Sequence, residues 1–300
     1  MKFLYNFILC FFFSFSIFAQ SPGSLDLSFA TVGYTSFGPL SNTMDNAQDI
    51  VTLPSGKMVF CGTSGTSGNL EICVGRMNAD GSIDLTFGTN GFFTFTNAAG
   101  SDFAYDMEVL SNGNILVAGA LSITAANPKF ALLCLNPNGT LNTSFGTGGV
   151  FSLDIDSSED YARKILLTST KIILAGNSKN PGFSTNRLAV VRCDYNGVLD
   201  ATFGLGGLNI LTNGGDIQCW SATQGATGDL ILAGDSYINS VYYPMIAKFT
   251  ANGAIVTSFG TNGAWVNMSM NARYFDVDFH NSQLILSGNN GASFTDLLLE

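Results

Sequence analysis

Acidic side chains return once in each of several similar stretches of this chain, at one fixed offset before an apolar run. The residues at this offset are Asp45, Asp102, Glu159 and Asn271, with Asp216 one position out of register. Carboxylate oxygens are the ligands that a hard cation such as Ca²⁺ prefers. A ring of such groups could hold a cation. The alternative is that each carboxylate only accepts hydrogen bonds from backbone N–H groups at the start of a strand, and no other cofactor is predicted.

Aromatic side chains occupy a second fixed offset, closer to the same apolar run. The residues there are Gln48, Tyr105, Ala162, Trp220 and Tyr274. Tyr and Trp combine an apolar face with a polar edge, which suits contacts with sugars or peptides. Tyr105, Trp220 and Tyr274 are therefore candidate ligand-binding residues, and the alternative is that they pack between neighbouring sheets.

Residue combinations typical of catalysis are scarce. His280 is the only histidine, and its setting predicts an exposed turn rather than the cleft that a Ser–His–Asp triad requires. Acidic pairs such as Asp154 and Asp156 are too common to indicate glycoside hydrolysis. The glycine-rich segments do not precede helical patterns, so they are not phosphate-binding loops. We therefore predict no catalytic residues and a protein that is not an enzyme.

A repeat defines these offsets, and its clearest segment is Ile83–Gly91. The segment returns as Leu141–Gly149, Leu199–Gly207 and Ile255–Gly263, with a degenerate first copy at Leu25–Gly33. Its phenylalanines stand at 29, 87, 145, 203 and 259, so the steps are 58, 58, 58 and 56 residues. A fixed period of this size indicates one repeat array rather than unrelated domains. The predicted repeats span about 24–81, 82–139, 140–197, 198–253 and 254–300.

Each repeat contains four short apolar runs separated by turns. The most apolar run ends in glycine in every copy, as in Ile115–Gly119 and Leu230–Gly234. Such a run is typical of a strand that is buried on both faces, and Asn112–Gly113 before it indicates a hairpin turn. A four-stranded antiparallel sheet cannot bury both faces alone, whereas radial repetition shelters it. We predict an all-β protein, a β-propeller of about five four-stranded antiparallel blades.

The same residues resemble a known repeat family. LDxSFGxxG, a DGK-like turn into an apolar strand that ends in Ala-Gly, and NxDG before the next Leu-Asp together resemble the delta-60 repeat of secreted bacterial proteins. The resemblance covers residues 24–300 and implies a propeller-like fold and export, and no established activity accompanies it. The chain departs from the pattern at Ala30, at Thr170–Lys171 and at Ile255–Val256.

The first nineteen residues differ from the rest. Lys2 precedes an apolar run from Phe3 to Phe18, and Ala19 provides a small residue at a cleavage point. The run is shorter than the roughly 20 apolar residues that a membrane helix needs. Residues 1–19 are therefore predicted to be a signal peptide, and residues 20–300 an exported array with no membrane span. The net charge of −10 and the lack of basic runs disfavour nucleic acid and anionic membranes as partners.

Five cysteines remain once Cys10 leaves with the leader. They are Cys61, Cys73, Cys134, Cys193 and Cys219. An odd number without a CxxC pair disfavours both a disulfide framework and a zinc site. We predict that these cysteines act as small buried hydrophobic residues.

The leading functional hypothesis is a secreted or cell-surface propeller that serves as a non-enzymatic binding or structural module for an extracellular protein or glycan. The alternative is a carbohydrate-active hydrolase or lyase with its site at the mouth of the propeller channel. The sequence stops at Asp296–Glu300, which aligns with the opening of the fourth apolar run of a repeat. This ending favours a fragment of a larger propeller over five repeats that close a ring.

Overall fold

The computed structural model describes residues 24–39, 44–96, 100–122, 127–157, 159–290 and 296–299. The regular secondary structure of these residues consists of nineteen β-strands. The predicted signal peptide lies outside these residues. The described part of the chain has no helix, and so none that could cross a membrane. The strands are β1 (Met44–Thr52), β2 (Met58–Thr66), β3 (Asn69–Met77), β4 (Phe92–Phe95), β5 (Phe103–Val109), β6 (Ile115–Ser122), β7 (Pro128–Leu135), β8 (Val150–Leu153), β9 (Asp160–Leu167), β10 (Lys171–Lys179), β11 (Asn186–Asp194), β12 (Leu208–Leu211), β13 (Asp216–Gln224), β14 (Leu230–Ile238), β15 (Val241–Phe249), β16 (Ala264–Val266), β17 (Ala272–His280), β18 (Gln283–Asn290) and β19 (Asp296–Leu299).

The strands form five antiparallel sheets, each in chain order. Blades 1 to 4 are β1–β4, β5–β8, β9–β12 and β13–β16, and blade 5 contains the three described strands β17–β19. The prediction of an all-β propeller with about five blades is confirmed. The blades are displaced from the sequence repeats, because the short strand after each recurrent segment closes the preceding blade. Phe92–Phe95, for example, follows the segment Ile83–Gly91 but pairs with β3 of blade 1.

Neighbouring blades pack against each other through the apolar strands that the sequence indicated. Leu116 and Phe151 of blade 2 share a buried cluster with Leu174 and Val191 of blade 3. Burial of one such side chain stabilises the fold by about 1.5–3 kcal/mol, so each blade depends on its neighbours. The innermost strands β1, β5, β9, β13 and β17 contact one another in succession. Residues on these strands therefore lie closest to the central channel.

Each recurrent segment carries a phenylalanine that connects one blade to the next. Phe203 in Leu199–Gly207 is fully buried, and its ring lies against Gly253 in the turn after β15. Gly253 has a φ of +79° and any Cβ there would collide with the ring, so the turn requires glycine. Gly204 N–H also donates a hydrogen bond to the carbonyl of Asn252, over 2.8 Å. This segment, which lies between β11 and β12 of blade 3, is thereby fixed to blade 4.

The acidic residue of the segment fixes its conformation. Asp200 accepts a hydrogen bond from Thr202 Oγ1 at 2.6 Å and forms ion pairs with Arg192 Nε at 2.9 Å and Lys171 Nζ at 3.2 Å. The hydrogen bond from Thr202, with these cations, holds the pKa of Asp200 well below its usual range. Asp84 has the same arrangement with Thr86, Arg76 and Lys57. The Asp of LDxSFG is therefore structural.

The first copy, Leu25–Gly33, docks on blade 1 as the others dock on their blades. Ala30 N–H donates to the carbonyl of Asp80 over 2.7 Å, and the Phe29 ring lies against Gly81. Residues 34–37 follow this first segment as β4 follows Ile83–Gly91, and a strand is expected there, but they have no strand partner among the described residues. Phe37 instead packs on Phe60, with ring centroids 4.8 Å apart. After the other recurrent segments the corresponding residues form a fourth strand by pairing with the third strand of the same blade, and no described strand lies beside residues 34–37.

Blades 1 and 5 each keep an exposed face. Ile50 of β1 is 55% exposed and Ile285 of β18 is 47% exposed. An open groove of about 480 Å³ lies beside β1, lined in part by Phe37, Phe60 and Ile50. Among the described residues, β17 makes no extensive contact with β1. The five described blades therefore form an open arc.

The five cysteines among the described residues are free and buried, as predicted. Burial raises the pKa of Cys219 to about 12 and that of Cys193 to about 12, so their reactive thiolate forms are scarce near neutral pH. We expect the leaderless protein to react with a thiol reagent at five sites in denaturant and at almost none when folded. Fast labelling of the folded protein by mass spectrometry would contradict this burial.

Candidate functional site

Every innermost strand carries a β-bulge, and the five bulges lie at the same place in the blade. The additional residue is Gln48, Tyr105, Arg163, Trp220 or Phe275 in blades 1 to 5. A bulge leaves one residue without a cross-strand partner and re-aims its side chain. The glycine that ends each apolar run faces the bulge, and a Cβ at Gly62, Gly119, Gly176, Gly234 or Gly288 would overlap a backbone oxygen of the innermost strand. The Ala-Gly signature therefore marks the bulge.

Four of the five bulge residues contact one another in a continuous row. The guanidinium carbon of Arg163 lies 3.9 Å from the ring centroid of Tyr105 and 5.2 Å from that of Trp220. Trp220 in turn meets Phe275 edge to face, with centroids 5.9 Å apart. Tyr161 of β9 adds a further ring, 6.4 Å from Tyr105. We call Tyr105, Tyr161, Arg163, Trp220 and Phe275 the channel row.

A buried carboxyl group fixes the indole of Trp220. Trp220 Nε1 donates a hydrogen bond to Asp235 Oδ2 over 2.6 Å, and Asp235 is fully buried. The other oxygen, Oδ1, has no hydrogen-bond partner in the part of the chain that the structure describes. Burial raises the pKa of Asp235 to about 6, although the hydrogen bond from Trp220 and the nearby positive charge of Arg273 both lower it. Asp235 is therefore a positioning residue whose protonation changes near neutral pH.

The two tyrosines of the row remain protonated at neutral pH. Burial raises the pKa of Tyr105, and burial together with Glu159 raises that of Tyr161. The Tyr161 hydroxyl donates to Glu159 Oε2 over 3.1 Å, and Glu159 Oε1 pairs with Lys179 Nζ at 2.9 Å. The Tyr161 hydroxyl is thus held in place, and both tyrosines present a phenol rather than a phenolate to the channel.

The residue after each bulge links adjacent blades. Asp106 accepts a hydrogen bond from Ile165 N–H and pairs with Lys164 Nζ, both at 2.7 Å. Asp49 accepts from Met107 N–H at 3.0 Å, and on the other side of the arc Ser221 Oγ donates to Asp276 Oδ1 over 2.7 Å. These carboxylates are occupied by structural partners. They hold the channel row in position.

The structure places the predicted aromatic residues in two different environments. Tyr105 and Trp220 lie in the channel row on either side of Arg163. Tyr274 is fully buried in an apolar cluster with Val277 and Leu286, and its neighbour Phe275 takes the channel position. Ala162 is likewise buried. A fixed offset before the apolar strand selects the wrong residue in blades 3 and 5, because the hairpin between the first and second strands of these blades is one residue shorter.

The acidic residues predicted to form a ring have separate backbone or side-chain partners. Asp102 accepts a hydrogen bond from Ser122 N–H and Asp216 from Asn186 N–H, both at 2.7 Å, whereas Glu159 pairs with Lys179. Asp45 is exposed on β1. In blade 3, Asp160 rather than Glu159 has the register of Asp102. The described residues contain no group of three or more His, Cys, Asp or Glu side chains that could hold a metal ion.

The other candidates for chemistry stay apart from the channel row. His280 is exposed at the end of β17, in the predicted turn. Asp154 pairs with Lys129 Nζ at 2.7 Å and Asp156 with Arg187 at 3.1 Å. Sequence reasoning missed Arg163, Phe275 and Asp235. The signal that could have found the first two is the recurrent glycine opposite each bulge.

Sequence comparison agrees with this architecture. A family model described as domain of unknown function (DUF5122) beta-propeller matches residues 53–87 and 110–145. The resemblance to the delta-60 repeat family is thereby confirmed, and the chain is a β-propeller repeat protein. A comparison with curated protein sequences finds no match.

Comparison with solved structures finds carbohydrate-active enzymes. One is an ulvan lyase described as a new family of polysaccharide lyase, with a TM-score of 0.44, 8% identity, and coverage of 84% of this chain and 68% of that one. The same enzyme bound to -[GlcA(1-4)Rha3S]- gives a TM-score of 0.45, 8% identity and the same coverages of 84% and 68%. An exo-1,5-alpha-L-arabinanase from a bovine ruminal metagenomic library gives 0.42, 14%, and coverage of 88% and 95%.

These similarities correct one prediction. The sequence predicted a protein that is not an enzyme, and the solved structures that resemble it are a lyase and an arabinanase. The prediction is therefore withdrawn. At such low identity, likeness of this kind extends to the fold and not to particular residues.

Proposed function

We propose that this protein is an exported carbohydrate-active enzyme that cleaves glycosidic bonds at the channel row. The observation that carries the proposal is the contact between Arg163, Tyr105 and Trp220, three bulge residues from three consecutive blades. Bulges repeated at one level of the array bring a cation, aromatic faces and phenolic hydroxyls together. A few polar groups among aromatic surfaces are typical of small-molecule and saccharide sites.

The aromatic members of the row suit the faces of a sugar ring. Phe275 is 40% exposed and Trp220 is partly exposed, so both can present apolar surface to a ligand. Aromatic rings provide a large rigid contact area at a small cost in conformational entropy. The hydrogen bond from Trp220 to Asp235 fixes the plane of the indole. A sugar would therefore meet a preformed platform.

The polar members suit the chemistry of glycosidic cleavage. The leaving oxygen of a glycosidic bond needs a proton as the bond breaks, and a tyrosine that keeps its proton at neutral pH can supply it. Tyr161 is the better placed of the two tyrosines, because the hydrogen bond to Glu159 fixes its hydroxyl. In hydrolysis a water molecule adds to the anomeric carbon as the leaving oxygen takes the phenolic proton, and the proton that water loses restores the phenol. Arg163 would stabilise negative charge that develops on the substrate.

We expect the purified protein to release reducing ends from at least one member of a panel of neutral and acidic polysaccharides. Absorbance of unsaturated products would separate elimination from hydrolysis in the same samples. Tyr161→Phe should lower kcat by about 10²- to 10⁴-fold, the usual contribution of a general acid. The matched control is Tyr195→Phe, because the Tyr195 hydroxyl donates to the carbonyl of Thr168 in the hairpin between β9 and β10.

Two results would contradict the proposal. One is the absence of cleavage across the panel, and the other is a Tyr161→Phe variant that is as active as Tyr195→Phe. The folded state of both variants is checked by thermal unfolding before the rates are compared.

A further inference from the structure

The Arg163 side chain is held by aromatic rings. It is the bulge residue of β9, and its guanidinium carbon lies 3.9, 5.2 and 5.5 Å from the ring centroids of Tyr105, Trp220 and Tyr161. Cation–π contacts of this kind fix the plane of the guanidinium. They give its N–H groups no oxygen or nitrogen acceptor, because the electron-rich ring faces attract the positive charge as a whole.

The positive charge of Arg163 has no acidic partner among the described residues. No hydrogen bond or ion pair joins its guanidinium to another described group, and its Nε is buried without an acceptor. Other arginines differ, since Arg76 and Arg192 bind Asp84 and Asp200 at 2.7 and 2.9 Å. A buried donor without an acceptor is destabilising. Arg163 as a whole is only partly buried, so an anion that reaches its accessible N–H groups would compensate the unpaired charge.

We infer that Arg163 binds the carboxylate of an acidic sugar, so that the saccharide substrate contains uronic acid residues. A guanidinium presents two parallel N–H groups that match the two oxygens of a carboxylate. Trp220 and Phe275 lie on one side of Arg163 and Tyr105 on the other. A uronate offers what this row requires, a ring with apolar faces and a planar anion at one edge.

The carboxyl groups around the row make a neutral sugar a poorer fit. A hydrolase site for neutral glycans uses two carboxyl groups that flank the bond, whereas Asp235 is engaged with Trp220, and Glu159 with Tyr161 and Lys179. Asp106 and Asp276 are engaged with Lys164 and Ser221. The net charge of −10 repels polyanions at long range, so a specific cation is needed to bind one. Arg163 is the cation of the channel row.

This inference rests on the proposal that the channel row binds carbohydrate, and its test is a binding measurement that does not require cleavage. Isothermal titration would compare three oligosaccharides of equal length, namely an oligogalacturonate, a neutral oligosaccharide and a sulfated neutral oligosaccharide. We expect the uronate to bind most tightly to the unaltered protein. Arg163→Gln should weaken uronate binding by about 10- to 100-fold, which is the usual loss for a hydrogen bond to a charged group.

Two further variants keep the result specific. Arg163→Lys keeps the charge but loses the two-pronged geometry, so uronate affinity should fall by an intermediate factor. Lys248→Gln removes one charge from blade 4 at an ion pair with Asp229 (2.9 Å), and uronate affinity should stay within about twofold of the unaltered protein, since exposed charges are screened by salt. Thermal unfolding shows whether each variant is folded.

The outcomes separate this inference from the proposed function. Equal affinity for the neutral oligosaccharide, or uronate binding that survives Arg163→Gln in a folded protein, would overturn the inference. Preference for the sulfated ligand would overturn the carboxylate assignment. Uronate binding that depends on Arg163 but is never followed by cleavage supports the inference and contradicts the enzyme. Cleavage of a neutral polysaccharide at an unchanged rate by Arg163→Gln supports the enzyme and contradicts the inference.

Discussion

Replacing Asp235 by Asn is expected to raise the free energy of unfolding at pH 7 by about 1 kcal/mol, the difference between about 3 kcal/mol for the lost buried charge and about 2 kcal/mol for an amide N–H2 in the unpartnered place of Oδ1. Burial raises the pKa of Asp235 to about 6 in the folded protein, from an ordinary value of 3.8, and each pKa unit corresponds to about 1.36 kcal/mol. An amide oxygen can still accept the hydrogen bond from Trp220. The variant would lack the charge whose burial is unfavourable.

The sign of the pH dependence follows from proton binding. Between pH 3.8 and about 6 the folded protein holds the Asp235 proton more tightly than the unfolded chain does. The folded state then binds more protons, so this group makes the stability fall as pH rises through that window and leaves it unchanged above. In Asp235→Asn this fall should disappear. Urea unfolding at pH 4, 5, 6 and 7 measures it.

Asp200→Asn is the matched control, with the opposite sign. The hydrogen bond from Thr202 and the ion pairs hold the pKa of Asp200 below its usual value, so Asp200 stabilises the fold above about pH 4 and loses that effect as pH falls. The Asn variant should therefore be less stable at pH 7. A Asp235→Asn protein that is less stable than the unaltered one at pH 7 would contradict the burial of an ionised Asp235.

The fold could be predicted largely because local signals repeat. The spacing of Phe87, Phe145 and Phe203 fixed the period, and Gly-terminated runs such as Ile115–Gly119 located the most buried strands. Because every repeat carries the same pattern, one irregular copy did not change the predicted fold. The position of the short strand was less evident, because a four-residue strand such as Phe92–Phe95 pairs with β3 after an intervening segment.

The site was only partly predictable, and the reason is hairpin length. Three residues separate Leu53 from Lys57, whose N–H and C=O close the first hairpin, but two separate Thr168 from Lys171 in blade 3. A fixed offset from the apolar strand therefore gives Tyr105 and Trp220 correctly and then selects Ala162 instead of Arg163. Because successive side chains point to opposite faces of a strand, a slip of one residue exchanges the core for the channel.

The partner of Trp220 was beyond the reach of pattern analysis. Asp235 follows the recurrent glycine of β14, where other blades have Thr63, Ala120, Asn177 and Asn289. Asn177 at this position donates to the carbonyl of Ile217 over 2.9 Å and connects two blades. Only coordinates show that Asp235 instead meets an indole within its own blade. One column of the repeat thus has a structural role in blade 3 and a positioning role in blade 4.

Phe203→Ala is expected to cost about 3–5 kcal/mol of unfolding free energy, the usual range for a buried phenylalanine in a core. The ring is fully buried in the cluster of blades 3 and 4, lies against Gly253, and has the Arg192 guanidinium 4.6 Å from its centroid. Its loss leaves a cavity at a junction between blades. Because each blade is stabilised by its neighbours, unfolding should become less cooperative as well as earlier.

The matched control is Phe29→Ala in the first recurrent segment. Phe29 makes the same contact with Gly81 but is only partly buried, because blade 1 has no described blade before it. Its replacement should cost about 1–2 kcal/mol, since less apolar surface returns to water. Urea unfolding followed by tryptophan fluorescence, with Trp220 and Trp265 both in blade 4, measures the two variants. If Phe203 connects two blades, its replacement should cost at least twice as much unfolding free energy as the replacement of Phe29. Equal costs would contradict this and show that the recurrent segment is only a local turn.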